Sequence, residues 1–410
     1  MKQFNLHTLT AYLLCTAMVL IPFSIAASNI LFGVALVSGF ISGCWIRGAS
    51  LLWQHAKPLT IIWMIYIALM MIGLTWSPDI HRGLIILSKQ WSWLIIPLFI
   101  SICIEKVWLN RMLISISLGL VLHLILCVLQ FIGMPLPVQA PGGSSAQDPA
   151  GLIGHISFGL IYGIWAAWLL HVSMMKKGYT RYTLWTLISF STAWIFVVQG
   201  RSGYIVTIVI AAIMIWKLYL QHINSRLVIG ILLFSMLGIT LMTLETSNHR
   251  TQETLDSLHA FANGDLTHAE ERISLWYVAW ESWKTSPIIG VGTGGLANTS
   301  IDIIKQHPHL NLSRHLKVSM PHNIYLMELV RWGPTGLIVL LAFLYFWIKL
   351  GWNLNWQSPH LLLISLSGIA LAVHGLTSQS IEEYHASVYT AVFLSIGLAA
   401  LAAQKSTENT

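Results

Sequence analysis

The chain has 410 residues, 56% of them hydrophobic and 9% charged, with 19 Trp and a mean hydropathy of +0.70. These values exclude an ordinary soluble domain and put the chain in the polytopic membrane class. The net charge of +7 is no argument for nucleic acid, because a basic excess in such a chain mostly sets orientation.

Crossing a bilayer takes about 17–25 apolar residues. Twelve such runs are expected, at 9–27, 29–46, 59–75, 84–104, 112–132, 153–173, 183–199, 203–220, 227–244, 323–348, 360–377 and 385–403. The first ends in Ser24-Ile25-Ala26-Ala27-Ser28, which mimics a signal-peptide cleavage site. The chain turns straight back into a second run, so a retained span is expected. Residues 133–151 are rich in Pro, Gly and Ser and read as an irregular cap or flap. Gly200-Arg201-Ser202-Gly203 alone separates spans seven and eight, which predicts a tight helical hairpin. A long polar segment, 245–321, follows span nine. It should hold helices near 251–263 and 269–285, the second amphipathic through Ile273, Trp276, Tyr277, Trp280 and Trp283. The expected fold is thus an all-α polytopic integral membrane protein of about 12 transmembrane helices, divided into 1–244, a periplasmic 245–321 and 322–410.

Lysine and arginine counts predict the orientation. With the N-terminus inside, the cytoplasmic ends hold Lys2, Arg47, Lys57, Lys106, Arg111, Lys176, Lys177, Arg181, Lys217, Arg226, Lys349 and Lys405, which is twelve of 22. The short outer loops and span ends hold four, Arg82, Lys89, Arg201 and Arg331. Both termini are therefore expected in the cytoplasm and the long segment outside. Of the 15 acids only Glu105 and Glu408 then face inward. Chemistry is expected at the outer face, where ATP and nucleotide sugars are absent and a pre-activated donor is needed. Cys15, Cys44, Cys103 and Cys127 lie in or beside apolar runs and suggest neither disulfides nor a metal site.

A few polar residues stand where spans begin or end at that face. His322-Asn323 opens span ten; a histidine there can act as a general base, or the pair can simply cap the helix. Arg201 sits between glycines, so it can clamp a diphosphate bidentately or snorkel to the headgroups. Arg272 opens the amphipathic helix, either as an anion ligand or as half of a surface ion pair with a neighbouring Glu. The glycine run in Ser286-Pro287-Ile288-Ile289-Gly290-Val291-Gly292-Thr293-Gly294-Gly295 reads as an anion nest or, more simply, a turn. Arg82 and Lys89 at the outer end of span four, His155 at the start of span six, and Glu382 and Glu383 in the last outer loop complete the candidates.

Together, Gly200-Arg201-Ser202-Gly203-Tyr204 after a span, Arg272 with Trp276 and Trp280, Ser286-Pro287 to Gly290-Val291-Gly292, and His322-Asn323 before Gly333-Pro334-Thr335-Gly336 resemble the O-antigen ligase family. Gly154-His155 also fits a family pattern. The resemblance covers about residues 150–350 in motif and the whole chain in topology. That family is similar to the O-antigen polymerases and the protein O-oligosaccharyltransferases.

The resemblance implies an inverting glycosyl transfer with no nucleotide, cofactor or essential metal. The donor would be an undecaprenyl diphosphate-linked glycan and the acceptor the lipid A-core, in a bacterial inner membrane whose lipids are the other partners. Arg201 and Arg272 would hold the diphosphate, and His322 would take or orient the acceptor proton. Asn323, Arg82, Lys89, His155, Glu382 and Glu383 would contact substrate. The alternatives are a polymerase or protein-acceptor transferase using the same donor, and a lipid-linked sugar transporter. The short tail after the last span is expected to favour a lipid acceptor over a protein one. A transporter should carry charge near mid-membrane in several spans; here charge is expected to crowd at one face.

Overall fold

The computed structural model describes residues 5–134, 144–219, 271–308, 310, 312, 316–356 and 358–408. These form an all-helical bundle with no strand among them. In chain order the helices are α1 (Leu6–Leu20), α2 (Ile25–Ile41), α3 (Cys44–Ile72), α4 (Ile80–Ser88), α5 (Ile95–Cys103), α6 (Lys106–Phe131), α7 (His155–Met174), α8 (Gly178–Val197), α9 (Arg201–Met214), α10 (Glu271–Lys284), α11 (Leu296–Gln306), α12 (Ile324–Trp352), α13 (Leu362–His374) and α14 (Tyr384–Glu408).

Among the described residues six helices are long and apolar enough to cross a membrane: Cys44–Ile72, Ile80–Cys103, Lys106–Phe131, His155–Met174, Ile324–Trp352 and Tyr384–Thr407. The expected first, second and eleventh spans are the shorter apolar helices α1, α2 and α13. The stretches expected as spans seven and eight fall in α8 and α9, which are not among those six; the connection is residues 198–200, since Arg201, Ser202 and Gly203 of the expected turn already open α9. The ninth span and the helix expected near 251–263 lie outside the described residues.

The helices begin where the sequence supplies caps. Asn5 and Ser24 accept from the N–H groups of His7 and Ala27 at the starts of α1 and α2. Small residues bring helices together. A methyl group on Gly48 would overlap the Pro97 carbonyl of α5, and one on Gly159 of α7 would overlap the backbone of Gly203 in α9. Large apolar side chains such as Trp165, Tyr162, Phe158 and Phe99 fill the space between.

Besides the kink of α3 at Ala56, two residues before Pro58, two further membrane-length helices are interrupted. Between α4 and α5 the chain passes through a 3-10 segment, Lys89–Leu94. Pro97 in the first turn of α5 has no N–H for the helical ladder. The Leu94 carbonyl, at the end of the 3-10 segment, accepts from the Trp45 indole at 2.9 Å. The second interruption kinks α12 at Trp332 and Gly333, directly before Pro334. Pro334 cannot donate to the Val330 carbonyl, which accepts the Val291 N–H at 2.9 Å. The Arg331 carbonyl likewise accepts the Gly292 N–H at 2.9 Å. The glycine run is therefore laced onto the kink: the Val291 and Gly292 donors go to α12, that of Thr293 goes to the Gly73 carbonyl after α3, and those of Gly290 and Gly295 go to carbonyls of the run itself, rather than being gathered as an anion nest. Gly333, at φ 64 and ψ −156, packs directly on the Ile288 carbonyl.

Candidate functional site

The turn from Gly375 to Glu383, between α13 and α14, is the hub of one end of the bundle. Ile324 donates its N–H to the Gly375 carbonyl at 2.8 Å, and the Asn323 side chain donates to the Leu376 carbonyl at 3.0 Å. Asn323 is also the N-cap of α12, accepting the Leu326 N–H at 2.9 Å. Its neighbour His322 has φ 52, alone among described non-glycine residues in being positive. The capping alternative thus describes Asn323, while His322 is turned out of the helical path beside the hub.

On its other side the hub meets the start of α7. The His374 Nε2–H donates to the Ile156 carbonyl at 2.7 Å, because a carbonyl can only accept. Nδ1 then accepts the Ser380 hydroxyl at 2.6 Å. Glu383 accepts Ser378 at 2.5 Å and Ser157 at 3.1 Å, one hydroxyl on each oxygen. His155 Nδ1 lies 2.9 Å from Asp148 Oδ2, and Asp148 Oδ1 accepts the Gln199 N–H at 3.0 Å. A side chain at Gly200 would overlap the His155 carbonyl, so Arg201 opens α9 directly beside His155. Arg272, in the first turn of α10, is near enough for its charge to act on His374. Packing of Leu275, Val278 and Ala279 against Met327 and Val330 of α12 holds α10 in place.

The hub also reaches down into the bundle. Glu382 contacts Arg331 of α12 at 2.5 Å and Lys89 at 4.0 Å. Arg331 contacts Glu328, one turn earlier, at 3.2 Å, and Glu328 accepts the Tyr66 hydroxyl at 2.9 Å. Composition around Arg331 suggested a cation at a span end. The structure buries it fully, because the hub supplies one carboxylate and α12 another. Arg82 stays on α4, where Asp79 caps its backbone N–H, while Lys89 leaves that helix at the 3-10 break and meets Glu382.

Asn323 is thus bonded to, and Lys89 within 4.0 Å of, the turn that holds Glu382 and Glu383, while His322 and His155 are chain neighbours of residues that contact it or its flanking His374, Arg201 follows a glycine packed on His155, and Arg272 opens the neighbouring α10. Sequence reasoning missed Asp148, Ser157, Tyr66, Glu328, Arg331 and His374 as members of this arrangement. The available signal was Glu328 and Arg331 at helical i, i+3 spacing within an apolar run. Among the described residues no His, Cys, Asp or Glu side chains group as metal ligands.

Residues 185–341 match the family model described as O-antigen ligase. The chain carries an O-antigen ligase family domain. No curated protein matches the chain. The O-antigen ligase match and the apolar helices together mark a membrane protein of the ligase and polymerase type, a glycosyltransferase-like enzyme with lipid-linked glycan substrates. The matched segment contains Arg201, Arg272, His322, Asn323, Glu328 and Arg331. His155, Lys89, Glu382 and Glu383 lie outside it and join through tertiary contacts.

Proposed function

We propose that this O-antigen ligase family protein moves a glycan from undecaprenyl diphosphate to the lipid A-core at the periplasmic face of a bacterial inner membrane. The observation that carries the reading is that Arg201, Arg272 and His322 all lie within the matched segment, and that Asn323, the neighbour of His322, is bonded to the Gly375–Glu383 turn. Arg201 and Arg272 pair with the diphosphate and offset the charge that grows on it as it leaves. An acceptor hydroxyl attacks the anomeric carbon from the opposite side, inverting it. The breaking C–O bond leaves its electron pair on undecaprenyl diphosphate, and the hydroxyl proton passes to His322. Glu383 and His155 line the acceptor side, with Asn323 fixing the turn beneath. An arrangement of twelve spans with both termini inside, which the excess of inward lysines and arginines supports, has this end outside.

The test is reconstitution of the purified protein with undecaprenyl diphosphate-linked glycan and lipid A-core, with chelator and without nucleotide. A product ladder shifted onto the lipid A-core is the expected result. Longer chains remaining on the carrier would make the protein a polymerase, and two unchanged lipids would overturn the reading.

A further inference from the structure

Glu382 is one carboxylate between two cations. Its Oε1 lies 2.5 Å from Arg331 Nη2, and its Oε2 lies 4.0 Å from Lys89 Nζ. A charge-assisted hydrogen bond of this kind closes to about 2.7–2.9 Å. Arg331 is therefore in contact and Lys89 stands off. Their surroundings differ in the same sense. The Arg331 and Glu328 side chains are 0% exposed and Glu382 is 2% exposed, whereas Lys89 is 38% exposed.

Arg331 cannot turn aside to release the carboxylate. Glu328 holds its other Nη atom at 3.2 Å, and Tyr66 fixes Glu328 at 2.9 Å. The kink immediately after Arg331 is itself pinned by Gly292 on the Arg331 carbonyl. Lys89, at the 3-10 break, has a long flexible stem and keeps its distance.

We propose that Arg331 is a positioning residue: by occupying Glu382 it keeps the Lys89 ammonium available to an anionic group of the substrate, such as a diphosphate. The identity of that ligand rests on the function proposed above; the state of Lys89 does not. Arg331 merely neutralising two buried carboxylates is the competing account, and it predicts no closure of Lys89 onto Glu382.

The experiment acylates lysines of the purified full-length protein in lipid nanodiscs with an amine-reactive ester and reads the rate at Lys89 by peptide mass spectrometry. Arg331→Met is expected to slow Lys89 labelling several-fold, as Lys89 closes onto Glu382. It should also raise the KM for the lipid-linked donor about 10-fold, with a smaller change in kcat. Adding Glu382→Gln to Arg331→Met should restore the labelling rate. Glu382→Gln alone should make labelling faster than in the wild type, which keeps the test open if Arg331→Met does not accumulate. Unchanged or faster labelling in Arg331→Met, or no recovery in the double variant, overturns the proposal. The expected labelling pattern with no transfer by any protein, wild type included, would support the proposal for Lys89 and remove the proposed function.

Discussion

His322 holds a backbone conformation that costs most side chains free energy, and it does so between Pro321 and the capping Asn323. A residue kept at φ 52 beside a helix N-terminus is aimed by its neighbours rather than by its own preference. His322→Ala and Arg201→Ala are expected to abolish glycan transfer while inserting in the membrane at wild-type levels, measured by product gels and by the folded fraction in detergent. Glu383 has a different place, since Ser157 and Ser378 already donate to it. Glu383→Gln keeps the size and removes the charge, and should lower transfer by about 10-fold or more with unchanged expression. In the sequence, Glu382 and Glu383 are two acids before Tyr384. Their partners Ser157, Lys89 and Arg331 sit on other helices, so nothing local announces them.

At the scale of the element, α12 shows how a helix can be bent on purpose. Pro334 removes one donor, Gly333 takes a conformation open to glycine, and the chain around Val291 and Gly292 supplies the replacement hydrogen bonds. Gly333→Ala is expected to destabilise the protein by about 1–3 kcal/mol from the backbone alone, with more from overlap with the Ile288 carbonyl. A thermal melt in detergent would show it as a lowered midpoint; an unchanged midpoint would mean that the kink relaxes freely. The motif Gly333-Pro334-Thr335-Gly336 made a kink legible in the sequence. The role of the distant glycine run in filling that kink was not, because a turn and a lacing segment have the same composition.

Across the whole molecule, two interrupted helices and one inter-helical turn place charge at one end of the bundle. The proposed orientation predicts that a periplasm-dependent phosphatase fused within residues 144–150 is active, and that the same reporter fused after the last helix is inactive. The reverse pattern would turn the molecule over and remove the outer-face chemistry. The sequence by itself determined the membrane class, the helical architecture and the order of most apolar helices, along with the motif residues Arg201, Arg272 and His322. Hydropathy and cap chemistry act along short stretches of chain, so a one-dimensional reading captures them. Only the tertiary structure decided that Arg331 is a buried ion-pair partner, that Asn323 caps while His322 is turned aside, and that Glu382 contacts Arg331 while Lys89 stands 4.0 Å away. Those outcomes depend on which side chains from remote helices meet within a few ångströms in a medium of low polarity, where an unpaired charge is costly and a paired one is held firmly.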